Sequence, residues 1–215
     1  MHVADRSRLV EIAPERIEPW LRGFIERHGA TDWTATTERV VVTAADGATA
    51  TFEVPFPPMR VEPSGSYGGL AVHAATERRV GVLLVRLGGY AAGVFEGSTL
   101  LESKVGSRLV HGRSAAGGTS QHRFARRREG QVKVALREAA DVAVRILSPA
   151  ATSLDAVVLG GDKRAVTAVL ADERLAALRP FVTARILDVP DPRLRVLKET
   201  PKLFRAVRIT IVDPP

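Results

Sequence analysis

The sequence contains no cysteine, which removes a disulfide framework, thiolate zinc ligation and thiol nucleophiles from the chemistry open to it. It also lacks any apolar run approaching the length needed to span a bilayer. Residues 1–9 carry Asp5, Arg6 and Arg8 without the apolar stretch of a secretory leader. A cytosolic protein in a reducing compartment is therefore expected. His2, His28 and His73 stand without acids at ligating intervals, so no metal site and no cofactor is expected. At 215 residues the chain is long enough to bury a sizeable core, as one domain with an elaborated terminus.

Excess charge is scarce everywhere but in one place. Between Lys104 and Arg137 nine Lys/Arg stand against the single acid Glu129, a local +8, while the other residues hold 22 basic and 23 acidic side chains. A charge-balanced chain with one such block has the electrostatic footprint of a polyanion-binding protein, nucleic acid first among the candidates.

Periodicity divides the chain into elements. Ile17, Trp20, Leu21, Phe24 and Ile25 give an amphipathic helix over 14–28, with Pro14 in its first turn and Gly29 ending it. The β-rich runs 33–43 and 48–54 flank Asp46-Gly47, a tight-turn pair that makes them a hairpin. Pro55, Pro57, Pro58, Pro63 and Gly65 then interrupt the pattern. The expected division is an N-terminal helix and hairpin extension over 1–66 and a second domain over 67–215.

After a short helix near 69–78, strand-like runs over 80–87, 90–96 and 99–110 are separated by hairpin-length glycine turns, which predicts an antiparallel meander. A small-residue loop over 112–120 leads into a long helix with Val132, Ala135, Leu136, Ala139, Val142, Ala143 and Ile146 on one face. Strands over 156–159, 181–187 and 207–212 alternate with helices over 163–170 and 193–204, with a further candidate helix over 174–178. The helix over 193–204 is expected to break or restart at Pro201. The fold class is α/β (α+β): a mixed sheet formed by a meander followed by β-α-β-α-β, ribonuclease-H-like, with helices on its faces.

The chemistry concentrates in a basic loop and helix from Gly117 to Lys133. Gly117 and Gly118 let a loop approach a ligand without Cβ obstruction. Thr119 or Ser120 can cap the following helix, which sets Gln121 near a helix start, where unpaired N–H groups and the positive dipole end favour phosphate or a developing oxyanion. Arg123, Arg126 and Arg127 are spaced to share a helix face, and with Arg128, Lys133 and Arg113 they form the expected RNA-binding set. As a bare residue, Gln121 could equally be an exposed side chain in a first helical turn.

The run Gly118-Thr119-Ser120-Gln121, read as a GxxQ loop, and the following His122-Arg123-Phe124-Ala125-Arg126-Arg127-Arg128 resemble the Vms-like release factors, in their actinobacterial branch of peptidyl-tRNA hydrolases. That family is similar in fold to the middle domain of the eukaryotic class-one release factor, whose GGQ loop enters the peptidyl transferase centre. In this chain Thr119 and Ser120 separate the glycine pair from Gln121. The resemblance spans residues 80–212 and implies a catalytic loop of Gly117 to Ser120 with Gly118 and Gln121 as the catalytic residues. It implies peptidyl-tRNA as substrate, the large ribosomal subunit and its RNA as partners, and ribosome rescue or quality control as the setting. A glutamine amide both donates and accepts hydrogen bonds, so it can orient water without the basicity to deprotonate it.

Two other classes share parts of this pattern. A metal nuclease would need converging carboxylates, for which Glu96, Glu102 and Asp155 lie near strands. A non-catalytic RNA-binding protein would use the arginine helix alone. His111 and His122 flank the loop as either a base or an RNA contact, and Gly160 to Arg164 reads as a tight turn capped by Asp162.

Overall fold

The computed structural model describes residues 7–86, 88–108 and 120–214, with the backbone alone over 120–128. The chain divides into two compact units, residues 1–76 with 201–215 and residues 77–200. This partition differs from the division at residue 66. It assigns the short helix after the proline-rich stretch, and the last strand, to the N-terminal unit.

In the first unit β1 (Ser7–Ile12), α1 (Ile17–His28), β2 (Thr31–Ala35), β3 (Arg39–Ala44), β4 (Thr49–Glu53) and α2 (Leu70–Ala75) precede the C-terminal strand. The sheet order is β1-β10-β4-β3-β2, with β10 (Val207–Val212) antiparallel to both β1 and β4. One face is covered: Ile17, Leu21 and Phe24 of α1 and Leu70 of α2 join Val40, Val42, Phe52, Val207, Ile209 and Ile211 in a buried cluster. This placement of β10 corrects the expected mixed sheet, which had included it. Val207, Ile209 and Ile211 are buried while Arg208 and Thr210 between them are not, the alternation of a strand buried on one face only.

The β-rich run 33–43 is two strands. Thr36 Oγ1 accepts from the Glu38 and Arg39 amides at 3.3 and 3.1 Å, turning the chain between β2 and β3. Hydroxyl-capped turns built from threonine carry strand-like propensity, so the run looks continuous. The Asp46-Gly47 turn forms as expected: Gly47 has φ +91°, and Asp46 Oδ1 accepts from the Ala48 amide at 2.9 Å. That bond and the His28 ring hold the Asp46 carboxyl below its ordinary value.

The second unit begins with the meander β5 (Arg79–Arg86), β6 (Gly89–Glu96) and β7 (Thr99–Ser107) and continues through α3 (Ser120–Leu147), β8 (Ala156–Gly161), α4 (Lys163–Leu170) and β9 (Val182–Leu187). Its sheet order is β7-β6-β5-β8-β9, with β5, β8 and β9 parallel and the meander antiparallel. It is the expected mixed sheet. Every residue from Val80 to Val85 is buried, as befits a central strand covered on both faces. Ala139, Ala140 and Ala143 of α3, with Val166 and Val169 of α4, pack on Leu83, Val85, Ala92 and Val94. The small alanines let the helix backbone lie close to the sheet.

α5 (Leu194–Phe204) runs through Pro201 without a break, against expectation. Proline cannot donate to the carbonyl four residues earlier, that of Leu197. Thr200 Oγ1 donates to that carbonyl instead, at 2.7 Å, and Thr200 is fully buried. No helix among the described residues is long and apolar enough to cross a membrane.

Candidate functional site

The candidate site lies along α3 and the segment that enters it. Gly117, Gly118, Thr119, Arg113 and His111 lie outside the described residues. Ser120, Gln121, His122, Arg123, Arg126, Arg127 and Arg128 belong to the opening turns of α3, where the backbone is helical from Ser120. Gln121 therefore occupies the first turn of a 28-residue helix, where free N–H groups and the dipole favour negative charge.

α3 is anchored only in its later turns. Glu129, Gly130, Lys133 and Val134 are exposed, Gln131 is half-buried, and Val132 is itself 37% exposed. Ala135 is the first buried residue among the described side chains of the helix. The helix rises roughly 22 Å from Ser120 to Ala135, at about 1.5 Å per residue. Lys133 has Glu129 one turn before it at 3.6 Å, the favoured acid-first order for an i, i+4 pair.

Two charge networks hold the root of the helix. Glu138 accepts from Arg108, which follows β7, and from the Tyr90 hydroxyl at 3.2 Å. Burial, then the Glu138 carboxylate, pushes the Tyr90 phenol above its ordinary value. The Tyr90 ring lies over Gly106 of β7, where an added Cβ would stand 2.4 Å from ring carbon Cε2. Asp141 of α3 meets Arg174 at 2.8 Å, and Arg174 also makes two side-chain bonds to Asp172 at 2.8 and 2.9 Å. The Arg174 side chain holds the Asp172 carboxyl at about 2. A helix fixed at its root with its opening turns beyond the packed core can carry a loop to a distant target.

The Glu138 network joins residues 30 to 48 positions apart, and no local sequence pattern reveals such pairs. Arg108, counted within the basic block, is occupied by Glu138. The other sequence candidates have structural partners. Asp162 caps α4 by accepting from the Ala165 amide at 2.8 Å; Asp155 accepts from the Arg79 amide at 2.7 Å; Glu96 lies 3.7 Å from the Arg79 side chain. Among the described residues no three His, Asp or Glu side chains gather where they could hold a metal ion.

Sheet, helix and charge together define an α/β domain that presents a long basic helix, the form of a protein directed at nucleic acid. The chain belongs to the Actinobacteria/chloroflexi VLRF1 release factor family, whose model matches residues 78–210. It is thus a release-factor-like protein of translation, and membership implies interaction with the ribosome. The crystal structure of an archaeal translation termination factor, aRF1, is similar at 17% identity and a TM-score of 0.46, covering 94% of this chain and 67% of that one. A second structure, described as an archaeal protein, is similar at 17% identity and a TM-score of 0.38, covering 93% of this chain and 64% of that one. The chain thus spans about two thirds of each. No curated protein matches it.

Proposed function

We propose that this protein hydrolyses the ester joining a nascent peptide to tRNA, acting in the cytosol on stalled ribosomes or large subunits, with Gln121 and Gly118 as its catalytic residues. The observation that carries this reading is the helix start at Ser120, on a helix that meets its core only from Ala135 onward. Gln121 then stands beside the unpaired amides of the first turn, and Gly117 to Ser120 form the loop that precedes them. In the reaction, water oxygen bonds to the ester carbonyl carbon, the bond from that carbon to the ribose oxygen breaks, and the proton ends on the ribose oxygen. The glutamine amide orients the water, and preorganised N–H donors stabilise the tetrahedral oxyanion without a titrating base. Arg123, Arg126, Arg127, Arg128, Lys133 and Arg113 hold the RNA backbone as point and fork donors.

The test adds the protein to free peptidyl-tRNA and, separately, to large subunits carrying peptidyl-tRNA, and follows peptide release and binding in parallel. Release from the large-subunit complex supports the reading. Binding without release in both samples overturns it and leaves a non-catalytic RNA-binding protein.

A further inference from the structure

A groove of about 380 Å³ opens between α3, α4 and the β5–β6 turn. Val85 and Tyr90 line it from the sheet, Val132 and Leu136 from α3, and Asp162 and Arg164 from the start of α4, with glycines and alanines filling the remaining wall. All of it lies within the second unit. Its polar groups are few and specific. Asp162 Oδ1 is taken by the Ala165 amide, while Oδ2 has no hydrogen-bond partner among the described residues and is a free acceptor. Arg164 is exposed and has no acidic partner among the described residues.

A ligand that matches this wall has an apolar face, an N–H donor for Asp162 and a negative charge for Arg164. We propose that the groove takes an unstacked nucleobase bearing an exocyclic amine, adenine or cytosine, from an RNA strand. The base lies against the apolar wall and donates its amine to Asp162 Oδ2, and Arg164 meets the adjoining phosphate. Single-stranded RNA is read in this way, by a base splayed from its neighbours into a pocket of mixed apolar and hydrogen-bonding character. An apolar peptide side chain would fill the same volume and leave both the acceptor and the guanidinium unmatched. The proposal rests on the RNA-binding part of the function above, since Val132 and Leu136 belong to the helix that carries the arginine series. It does not depend on ester hydrolysis.

The test measures binding of the full chain to dodecamers of adenylate, cytidylate and uridylate and to a dodecamer of abasic ribose phosphate, at one salt concentration. Phosphate contacts alone give equal affinities, whereas a base seated in the groove makes the adenylate and cytidylate strands bind tighter than the abasic strand by about 5- to 150-fold, the range for one base–protein contact. Ala168→Phe fills the groove and should reduce both strands to the abasic level. Asp162→Asn keeps the helix cap but turns the free acceptor into a donor, and should move preference from cytidylate toward uridylate, whose ring differs at that edge by a carbonyl for an amine. The second variant decides if circular dichroism shows Ala168→Phe unfolded.

Equal wild-type affinities for base-bearing and abasic strands would overturn the proposal, as would a folded Ala168→Phe protein that keeps base preference. So would an Asp162→Asn protein with unchanged cytidylate preference. AMP competing as well as the adenylate strand would make the groove a mononucleotide site and overturn the strand-borne reading. Displacement of bound adenylate by an apolar leucine peptide, with no base preference, would assign the groove to peptide. Peptide release is not measured in any of these arms, so failure of the hydrolase reading leaves their outcome unaffected.

Discussion

Thr200 compensates for the backbone donor that Pro201 removes, and replacing it isolates that role. Thr200→Val keeps the shape of the side chain and deletes the hydroxyl, leaving the Leu197 carbonyl without the bond now made at 2.7 Å in a fully buried setting. An unsatisfied buried carbonyl costs about 1–3 kcal/mol, and the added methyl returns up to roughly 0.8 kcal/mol of apolar burial. The expected net loss is about 1–2 kcal/mol. Pro201→Ala restores an amide hydrogen aimed at the same carbonyl, so the double variant should be less destabilised than the two single changes imply, with a coupling of about 1 kcal/mol or more. Urea unfolding of the wild type and three variants, followed by circular dichroism and fitted for the two compact units separately if two transitions appear, measures the cycle. A Thr200→Val protein within about 0.5 kcal/mol of wild type, or strictly additive effects, would refute the substitution of hydroxyl for amide.

Three further outcomes are expected. Gly106→Ala sets a methyl 2.4 Å from the Tyr90 ring; displacing the ring should cost about 1–3 kcal/mol as overpacking and weaken the hydroxyl bond to Glu138, and an unchanged urea midpoint would contradict the packing described. Replacing Arg123, Arg126 and Arg127 together by alanine should weaken tRNA binding across sequences and flatten the logarithmic salt dependence by about 0.7–0.9 for each phosphate no longer neutralised; an unchanged slope removes these residues from the RNA interface. Asp172 has a folded pKa of about 2, below its ordinary 3.8, so it contributes stability above its unfolded value that is lost as pH falls through about 2. Asp172→Asn should therefore lose less stability than wild type between about pH 5 and pH 2.5, and equal acid losses would show that the Arg174 pairing does not bear on folding.

Much of the fold is legible in the sequence because its signals are local. The glycine turns and apolar runs of 79–107 give the meander, and the alanine-rich 3.6-residue stripe of 135–147 gives the packed half of α3. What sequence does not disclose is pairing over distance. The alternation in 207–212 identifies a half-buried strand but not which sheet receives it, and β10 lies between β1 and β4. Ser7–Ile12 is a short edge strand with largely exposed side chains, too weak in pattern to separate from a charged terminus. The continuation of α5 through Pro201 depends on a hydroxyl one residue away, which a rule about proline does not anticipate. For the candidate site, the glycine loop and arginine series are visible as motifs, while Arg108, Tyr90 and Glu138, which hold the helix root, meet only through the folded sheet.

The central claim is that Gln121 acts on the transition state and contributes little to binding. An interaction made only in the transition state lowers the chemical rate when removed and leaves substrate affinity nearly unchanged. The most direct measurement is single-turnover peptide release by Gln121→Ala from large subunits carrying peptidyl-tRNA, at saturating protein, with binding measured on the same complexes. Normal binding with release slowed by about 10- to 1,000-fold, the range for a preorganised polar group, is the expected result. Release at the wild-type rate would contradict the account.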